Sequence, residues 1–435
     1  MHTFIKKNIG IIAVLILGFV PVLRWFFISP ASPRFSDLNS TSTILGQIAG
    51  IAGMAFFALN LILAGRLKIL DRFFAGGLAD IYGTHQKIGQ ISFCLLLFHP
   101  LFLVVKFLSF SLKSAALFFV PQGFDAQSYG IIALSLMIVF IGLTLYAKMK
   151  YQNWKLSHKF MVLTFIVAVL HAFLITSDIS RDNFLRFYIL GISAIGLAVS
   201  FCQAFLSELT NKNFNYKIKS VLDLNGQVTQ IKLEAKSRRI EFSPGQFIFA
   251  KFFSKAVSRE SHPFSISSPP AQKNLEMDIK SLGDFTANVK NLKPGNLVKI
   301  NGPFGKFSYK YIKNKNQIWL AGGVGITPFL SMARSSEISG YKIDLYYCTK
   351  NKEEAVLIDE LVEIGSKNVN FRIIPWYSDE KGFISAEIVS KQASGVSEKD
   401  IFLCGPMPFM MALRKQFLNL KVKDKNIHWE NFGFF

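Results

Sequence analysis

Six apolar runs fill the first half of this 435-residue chain, and they limit its fold more than any other feature. They cover residues 9–28, 44–64, 88–107, 131–146, 160–175 and 184–206. About 20 apolar residues cross the hydrocarbon of a bilayer. Backbone in lipid must satisfy its own hydrogen bonds, so each run is predicted to be a helix. The start, MHTFIKKNIG and then the first run, has the outline of a signal peptide. That run is long for a signal core and lacks a small-residue cleavage site, so it reads as a retained first span.

Charge points the same way. The net charge is +21, from 49 Lys and Arg against 28 Asp and Glu. Such a surplus suits either nucleic acid or the flanks of membrane spans. No nucleic-acid reader motif is present, so the expected partner is a lipid bilayer and nucleic acid is excluded. Lys6 and Lys7 precede the first run, and Arg66, Lys68 and Arg72 follow the second. Lys148, Lys150 and Lys155 lie between the fourth and fifth. The remaining loops mix Arg34, Lys113 and Arg181 with Asp37, Asp125, Asp178 and Asp182. The positive-inside rule then puts both termini in the cytoplasm. Short loops suggest a multi-pass protein of a bacterial inner membrane. Residues 66–83 mix basic and apolar side chains and read as a surface helix or a packed connector. The four cysteines have no pairing pattern, and no disulfide is expected.

Within this apolar half stand His85 and His99, fourteen apart, and His158 and His171, thirteen apart. Imidazole is costly in hydrocarbon unless a ring nitrogen is used. A fourteen-residue step rises about 21 Å, most of the hydrocarbon depth, and keeps both rings on one helix face. Thirteen residues is about 3.6 turns, which puts the second pair out of phase. Local overwinding, a bend or compensating rotamers are therefore predicted between them. Pro100 is predicted to kink the third helix. Two histidines at each of two depths can hold two haem irons, His85 with His158 and His99 with His171. The non-enzyme alternative is a proton or ion pathway using Arg24, Lys106 and the histidines.

After residue 206 short alternating strands appear, such as 215–221 and 227–233. The segment to about 308 reads as a small antiparallel β-barrel. From 317 the order strand, Gly-rich turn, helix, strand predicts a parallel α/β nucleotide-binding sheet. The expected fold is multi-domain: a six-helix α transmembrane bundle (1–208), a β-barrel domain (209–311) and an α/β domain (312–435).

Motifs follow in order: Ser243-Pro244-Gly245-Gln246-Phe247, His262-Pro263-Phe264-Ser265, Gly283-Asp284-Phe285-Thr286, Gly302-Pro303-Phe304-Gly305, Gly323-Val324-Gly325-Ile326-Thr327-Pro328 and Cys404-Gly405-Pro406. Together they resemble the ferredoxin–NADP reductase superfamily. Joined to the six-span core with its histidine pairs, the chain resembles the NADPH oxidase and ferric reductase family of transmembrane flavocytochromes b.

The resemblance implies FAD in the barrel domain, NADPH or NADH in the α/β domain, and two b haems between histidines. It implies an aromatic ring at Phe264, after Pro263, against the flavin and the Ser265 hydroxyl near flavin N5. It directs His262 to the FAD pyrophosphate or ribityl region. Gly283, Asp284, Phe285 and Thr286 correspond to its pyrophosphate turn, with Lys280 adding charge. Gly322, Gly323, Gly325, Thr327 and Pro328 correspond to the dinucleotide loop, and Cys404, Gly405 and Pro406 to the nicotinamide side. Thr349 and Lys350 mark the region that meets a 2′-phosphate, with Lys350 or Arg372 as the cation. The family's closing aromatic ring falls on Phe432 or, less directly, Phe435. Activity by this likeness is electron transfer from cytoplasmic NAD(P)H through FAD and the haems to an acceptor outside, dioxygen or ferric iron. A quinone or periplasmic redox partner is the alternative acceptor, and no obligatory protein partner is evident. Leu103 stands where the animal oxidases carry a further histidine, which puts their handling of oxygen in doubt.

Overall fold

The computed structural model describes residues 2–28, 35–74, 76–147, 149, 151–206 and 214–430. Arg34, Lys148, Lys150, Phe432 and Phe435, singled out above, lie outside them. The chain divides into two compact units, Met1–Ser207 and Glu208–Phe435.

The first unit holds six helices long and apolar enough to cross a bilayer: Asn8–Phe26, Leu38–Ala64, Leu78–Leu108, Ala126–Tyr146, Gln152–Leu174 and Asn183–Ala204. The second span is its spine, buried from Ile51 to Leu59 without a break. Small residues make that position possible, since helices in lipid associate through close backbone packing. Gly46 faces Leu103, Gly50 faces the His99 ring and Gly53 faces Leu96, each too near for an added Cβ. Ser92 of the third span donates to Gly53 O at 2.9 Å. Gly196 of the sixth span lies against Ala58 O.

Aspartates cap three spans. Asp37 accepts from Ser40 N, Asp125 from Ser128 N and Asp182 from Leu185 N, at 2.7, 2.7 and 2.8 Å. Each satisfies an orphan donor and places negative charge at the positive end of a helix. Asp182 also meets Arg24 of the first span, with Nη2 at 2.7 Å and Nε at 3.3 Å. The described residues of 66–83 form no continuous surface helix. A short 3-10 turn, Lys68–Arg72, leads to Phe74, which is buried against Gly10, and the third span begins at Leu78. The segment is a packed connector because Phe74 finds an apolar seat beneath the first span.

The second unit begins with a six-stranded antiparallel sheet in the order β4-β3-β6-β1-β2-β5. Its strands are β1 (Phe214–Asp223), β2 (Val228–Ala235), β3 (Phe247–Phe253), β4 (Ser261–Ser265), β5 (Leu275–Lys280) and β6 (Leu297–Phe304). Tyr216, Ile218, Ile231 and Leu233 alternate inward into its core, as a period of two requires. Just past β4, Ser267 N donates to Glu276 O of β5 at 2.9 Å, which draws the two edge strands together.

A parallel sheet follows in the order β11-β10-β7-β8-β9. It contains β7 (Asn316–Gly322), β8 (Lys342–Thr349), β9 (Phe371–Tyr377), β10 (Asp400–Cys404) and β11 (Ile427–Trp429). Strand β7 is buried from Gln317 onward, as expected for a parallel strand covered on both faces. Arg334, after the helix Thr327–Ala333, ties the sheets together. It donates to Ser267 O and Glu276 of the first sheet's side and to both oxygens of Glu360 on the other.

Candidate functional site

The four membrane histidines come together in two pairs. The His85 and His158 rings are 6.2 Å apart between centroids, and the His99 and His171 rings 6.3 Å. The third span carries His85 and His99 on one helix, Leu78–Leu103, which passes through Pro100 and breaks only at Val104. The fifth span supplies the predicted distortion: one helix, Tyr151–Lys159, ends just after His158, and the next, Met161–Leu174, resumes after Phe160. This break brings two residues thirteen apart to face the third span together.

Every one of the four Nδ1 atoms has a partner. His99 donates to Gly46 O and His171 to Ala126 O, both at 2.7 Å. His85 donates to Asn60 O at 3.1 Å, and His158 lies 3.4 Å from Thr144 Oγ1. Such bonds fix the tautomer and leave Nε2 as the ligating atom. A metal–imidazole bond of about 2.0 Å, with about 1.1 Å more to each ring centre, spaces two rings on opposite sides of one metal by roughly 6 Å. Both pairs have that spacing. Among the described residues no group of three or more His, Cys, Asp or Glu could hold a bare ion. Two nitrogens per site suit an iron already held on four sides by a porphyrin. Two glycines admit the second pair. A Cβ on Gly50 would lie 2.7 Å from His99 Nδ1, and one on Gly130 would lie 2.9 Å from His171 Nδ1. Leu103 packs against Gly46, so no polar side chain enters at that position.

In the second unit, His262, Pro263, Phe264 and Ser265 lie on β4, with Ser265 opposite Phe247. Phe285 stacks on the His262 ring at 3.9 Å between centroids and lies 6.4 Å from the Phe264 ring. The motif from β4 and the turn after β5 thus form one aromatic cluster. His262 Nε2 also lies 3.3 Å from Glu260. In the turn, Thr286 Oγ1 accepts from Leu282 N and Gly283 N, at 2.8 and 3.0 Å, and donates to Gly283 O. The Thr286 hydroxyl therefore shapes the turn here. The short helix Asp284–Ala287 begins immediately afterwards. Lys280 reaches across to Glu354 at 3.6 Å, at the mouth of a small pocket beside Gly323 and Val324.

The glycine-rich loop follows β7. Gly323 has φ +54°, a conformation that suits glycine. A Cβ on Gly325 would lie 2.3 Å from Cys404 O, so this glycine is required by the neighbouring strand. Gly405 at φ +158° returns the contact, lying against Gly322. The ends of β7 and β10 interlock, which leaves main chain to line the site. Pro328 stands in the first turn of its helix, and Thr327 Oγ1 donates to Val324 O at 3.0 Å. Cys404 is buried, and burial pushes its thiol well above the usual range. Its backbone closes against Gly325.

Thr349 ends β8, and its hydroxyl donates to Asn351 O at 2.8 Å. Lys350 follows at the same end, where open parallel sheets bind ligands. Arg372 lies at the opposite end, on the second residue of β9, paired with Asp344 at 2.8 Å. That removes Arg372 as the cation for a 2′-phosphate. In the pocket lining, burial raises the Asp278 carboxyl above the usual range, and Gln230 donates to it at 3.0 Å.

Residues 49–169 match the family described as ferric reductase like transmembrane component, 213–314 an FAD-binding domain, and 319–415 an oxidoreductase NAD-binding domain. The chain therefore joins a ferric reductase-like transmembrane component to an FAD-binding and an NAD-binding domain. The three matches in this order are the architecture of the ferric reductase and NADPH oxidase family. It is 27% identical over 205 residues to the ferredoxin reductase component of 3-ketosteroid-9-alpha-monooxygenase from Mycobacterium tuberculosis, covering 46% of this chain and 57% of that one. It is 31% identical over 180 residues to NADH-cytochrome b5 reductase 2 of Kluyveromyces lactis, covering 38% and 61%. The chain thus spans a little over half the length of such curated relatives. A flavohemoglobin from Malassezia yamatoensis aligns in structure with a TM-score of 0.50 at 16% identity, over 91% of this chain and 97% of that one, a likeness of fold alone.

Proposed function

We propose that this protein carries electrons from cytoplasmic NAD(P)H through FAD and two b haems to an acceptor across the membrane. The observation that carries the reading is the pair of facing histidines at each of two depths, spaced 6.2 and 6.3 Å with Nδ1 engaged. When bound, the flavin accepts a hydride and the irons move single electrons. The chain's own residues position these groups. His85 and His158 hold one iron; His99 and His171 hold the other. His262, Pro263, Phe264 and Ser265 receive the flavin, and Gly283, Asp284, Phe285 and Thr286, with Lys280, receive its pyrophosphate. Gly322, Gly323, Gly325, Thr327 and Pro328 bind the nicotinamide dinucleotide, with Cys404, Gly405 and Pro406 lining its reactive end. Lys350, beside Thr349, meets the 2′-phosphate of NADPH.

The aspartates of Asp37, Asp125 and Asp182 begin the second, fourth and sixth spans, which start on one side. The basic loops lie on the other, so both termini face the cytoplasm of a bacterial-type inner membrane. An ion relay is disfavoured because Arg24 is held by Asp182 and three of the histidines donate to main-chain carbonyls. Leu103 keeps the His99–His171 end apolar, which favours reduction of chelated ferric iron over capture of dioxygen.

The test is a pyridine haemochrome assay on the purified full-length protein, with two haems per chain expected. Fewer than two overturns the reading. His99→Leu removes one haem and leaves flavin reduction by NADPH intact; unchanged transmembrane electron flow in that variant rejects the assignment. Ferrozine detection of ferrous iron beside dismutase-sensitive cytochrome c reduction identifies the acceptor.

A further inference from the structure

The four ligand histidines are not held alike. His99 and His171 donate to amide carbonyls at 2.7 Å, and His85 does so at 3.1 Å. Among the described residues, the His158 Nδ1 has the Thr144 hydroxyl as its partner, at 3.4 Å. That hydroxyl donates its own proton to Phe140 O at 2.7 Å, so it faces His158 with a lone pair. A hydroxyl is a weaker acceptor than an amide carbonyl, and 3.4 Å lies beyond the ordinary range. Trp154 completes the arrangement. Its ring is parallel to the imidazole within 2°, with centroids 5.5 Å apart, and its Nε1–H donates to Thr144 O at 3.2 Å. Trp154 therefore braces the His158 ring by stacking and fixes the Thr144 main chain at the end of the fourth span.

We propose that Thr144 and Trp154 are positioning residues for His158, holding it through a deliberately weak acceptor so that its iron has a higher reduction potential than a carbonyl in the same place would give. This rests on the haem reading above. The physical link is ligand basicity. An N–H given to a strong acceptor pushes electron density onto the ligating nitrogen and favours the more highly charged, oxidised metal. A weak acceptor does so less. The His99–His171 pair, with two short carbonyl bonds, is the internal contrast.

The experiment is spectroelectrochemistry of the full-length protein in nanodiscs, with haem counted in each sample. Thr144→Val removes the acceptor while keeping the shape; Thr144→Ser keeps it. The expected result is an upward shift of one haem couple in Thr144→Val, no shift of the other, and return toward the parent value in Thr144→Ser. Thr144→Ala carries the same comparison if Thr144→Val loses haem. Two haems with unmoved couples in the Val and Ala variants overturn the proposal, as do equal shifts in Val and Ser, which would assign the effect to packing. Fewer than two haems in the parent protein would instead defeat the haem reading itself.

Discussion

Gly50→Ala probes the His99 site with the smallest possible change. The added methyl would stand 2.7 Å from His99 Nδ1 and 2.8 Å from Cε1. Carbon contacts are comfortable at about 3.5–4.0 Å, so the ring or the helix must yield by roughly 1 Å. The ring cannot yield freely, because Nδ1 is held 2.7 Å from Gly46 O one turn away on the same span. Overpacking of this kind costs about 1–3 kcal/mol. Disturbing the hydrogen bond behind a metal ligand typically weakens metal binding about 10- to 100-fold. Gly50→Ala is therefore expected to lower occupancy of one haem and leave the other. Gly130→Ala, with its methyl 2.9 Å from His171 Nδ1, should do the same from the opposite helix. Gly142, in the fourth span as well, has no neighbour near its Cβ position, so Gly142→Ala is the control and should keep both haems. The assay is haem per chain by pyridine haemochrome, with flavin content as the folding check. Two full haems and an unaltered reduced spectrum in Gly50→Ala would refute the argument that His99 is a ligand pinned by that close contact.

Arg334→Ala leaves Glu276, nearly buried, without its guanidinium and unties Glu360, and is expected to cost about 3 kcal/mol; flavin release on heating measures it, and a transition within a degree of the parent contradicts the clamp. Asp278 has a raised carboxyl in the folded state, so its stabilising contribution is present below the unfolded value near 3.9 and is lost as pH rises through the folded value. Asp278→Asn should thus flatten the loss of stability between acidic and neutral pH, read from the same melts; parallel pH curves for both proteins reject this. Burial pushes the Cys348 thiol up to about 12 and Cys404 further, so neither should be alkylated by iodoacetamide at pH 8 without denaturant; mass spectrometry reporting rapid labelling of Cys404 would contradict its burial.

Much of this was legible because lipid imposes simple rules. Six apolar runs predicted six helices, and the odd thirteen-residue interval called for overwinding, a bend or compensating rotamers, of which the helix interruption at Phe160 is a bend-like case. The partners of the histidines were not legible. Three are main-chain carbonyls, of Gly46, Asn60 and Ala126, and a carbonyl leaves no mark on the residue type. The glycines at 46, 50 and 53 did carry a signal, as small residues at helical spacing, but their contacts needed the third span in place. Lys350 and Arg372 were equally open as the phosphate cation because charge is visible in a sequence whereas the end of the sheet that bears it is not. The composition of residues 66–83 fits a surface helix or a packed connector equally, and Phe74 packing on Gly10 distinguishes the connector.

Asn60 and Gly46 stand fourteen residues apart on the second span, as do His85 and His99 on the third. The two antiparallel helices therefore act as matched rulers, each mark on one facing a mark on the other. A single residue inserted into either would turn everything beyond it by about 100° and misalign one end of the scale. Changes in length between these marks can be tolerated only when both helices change together.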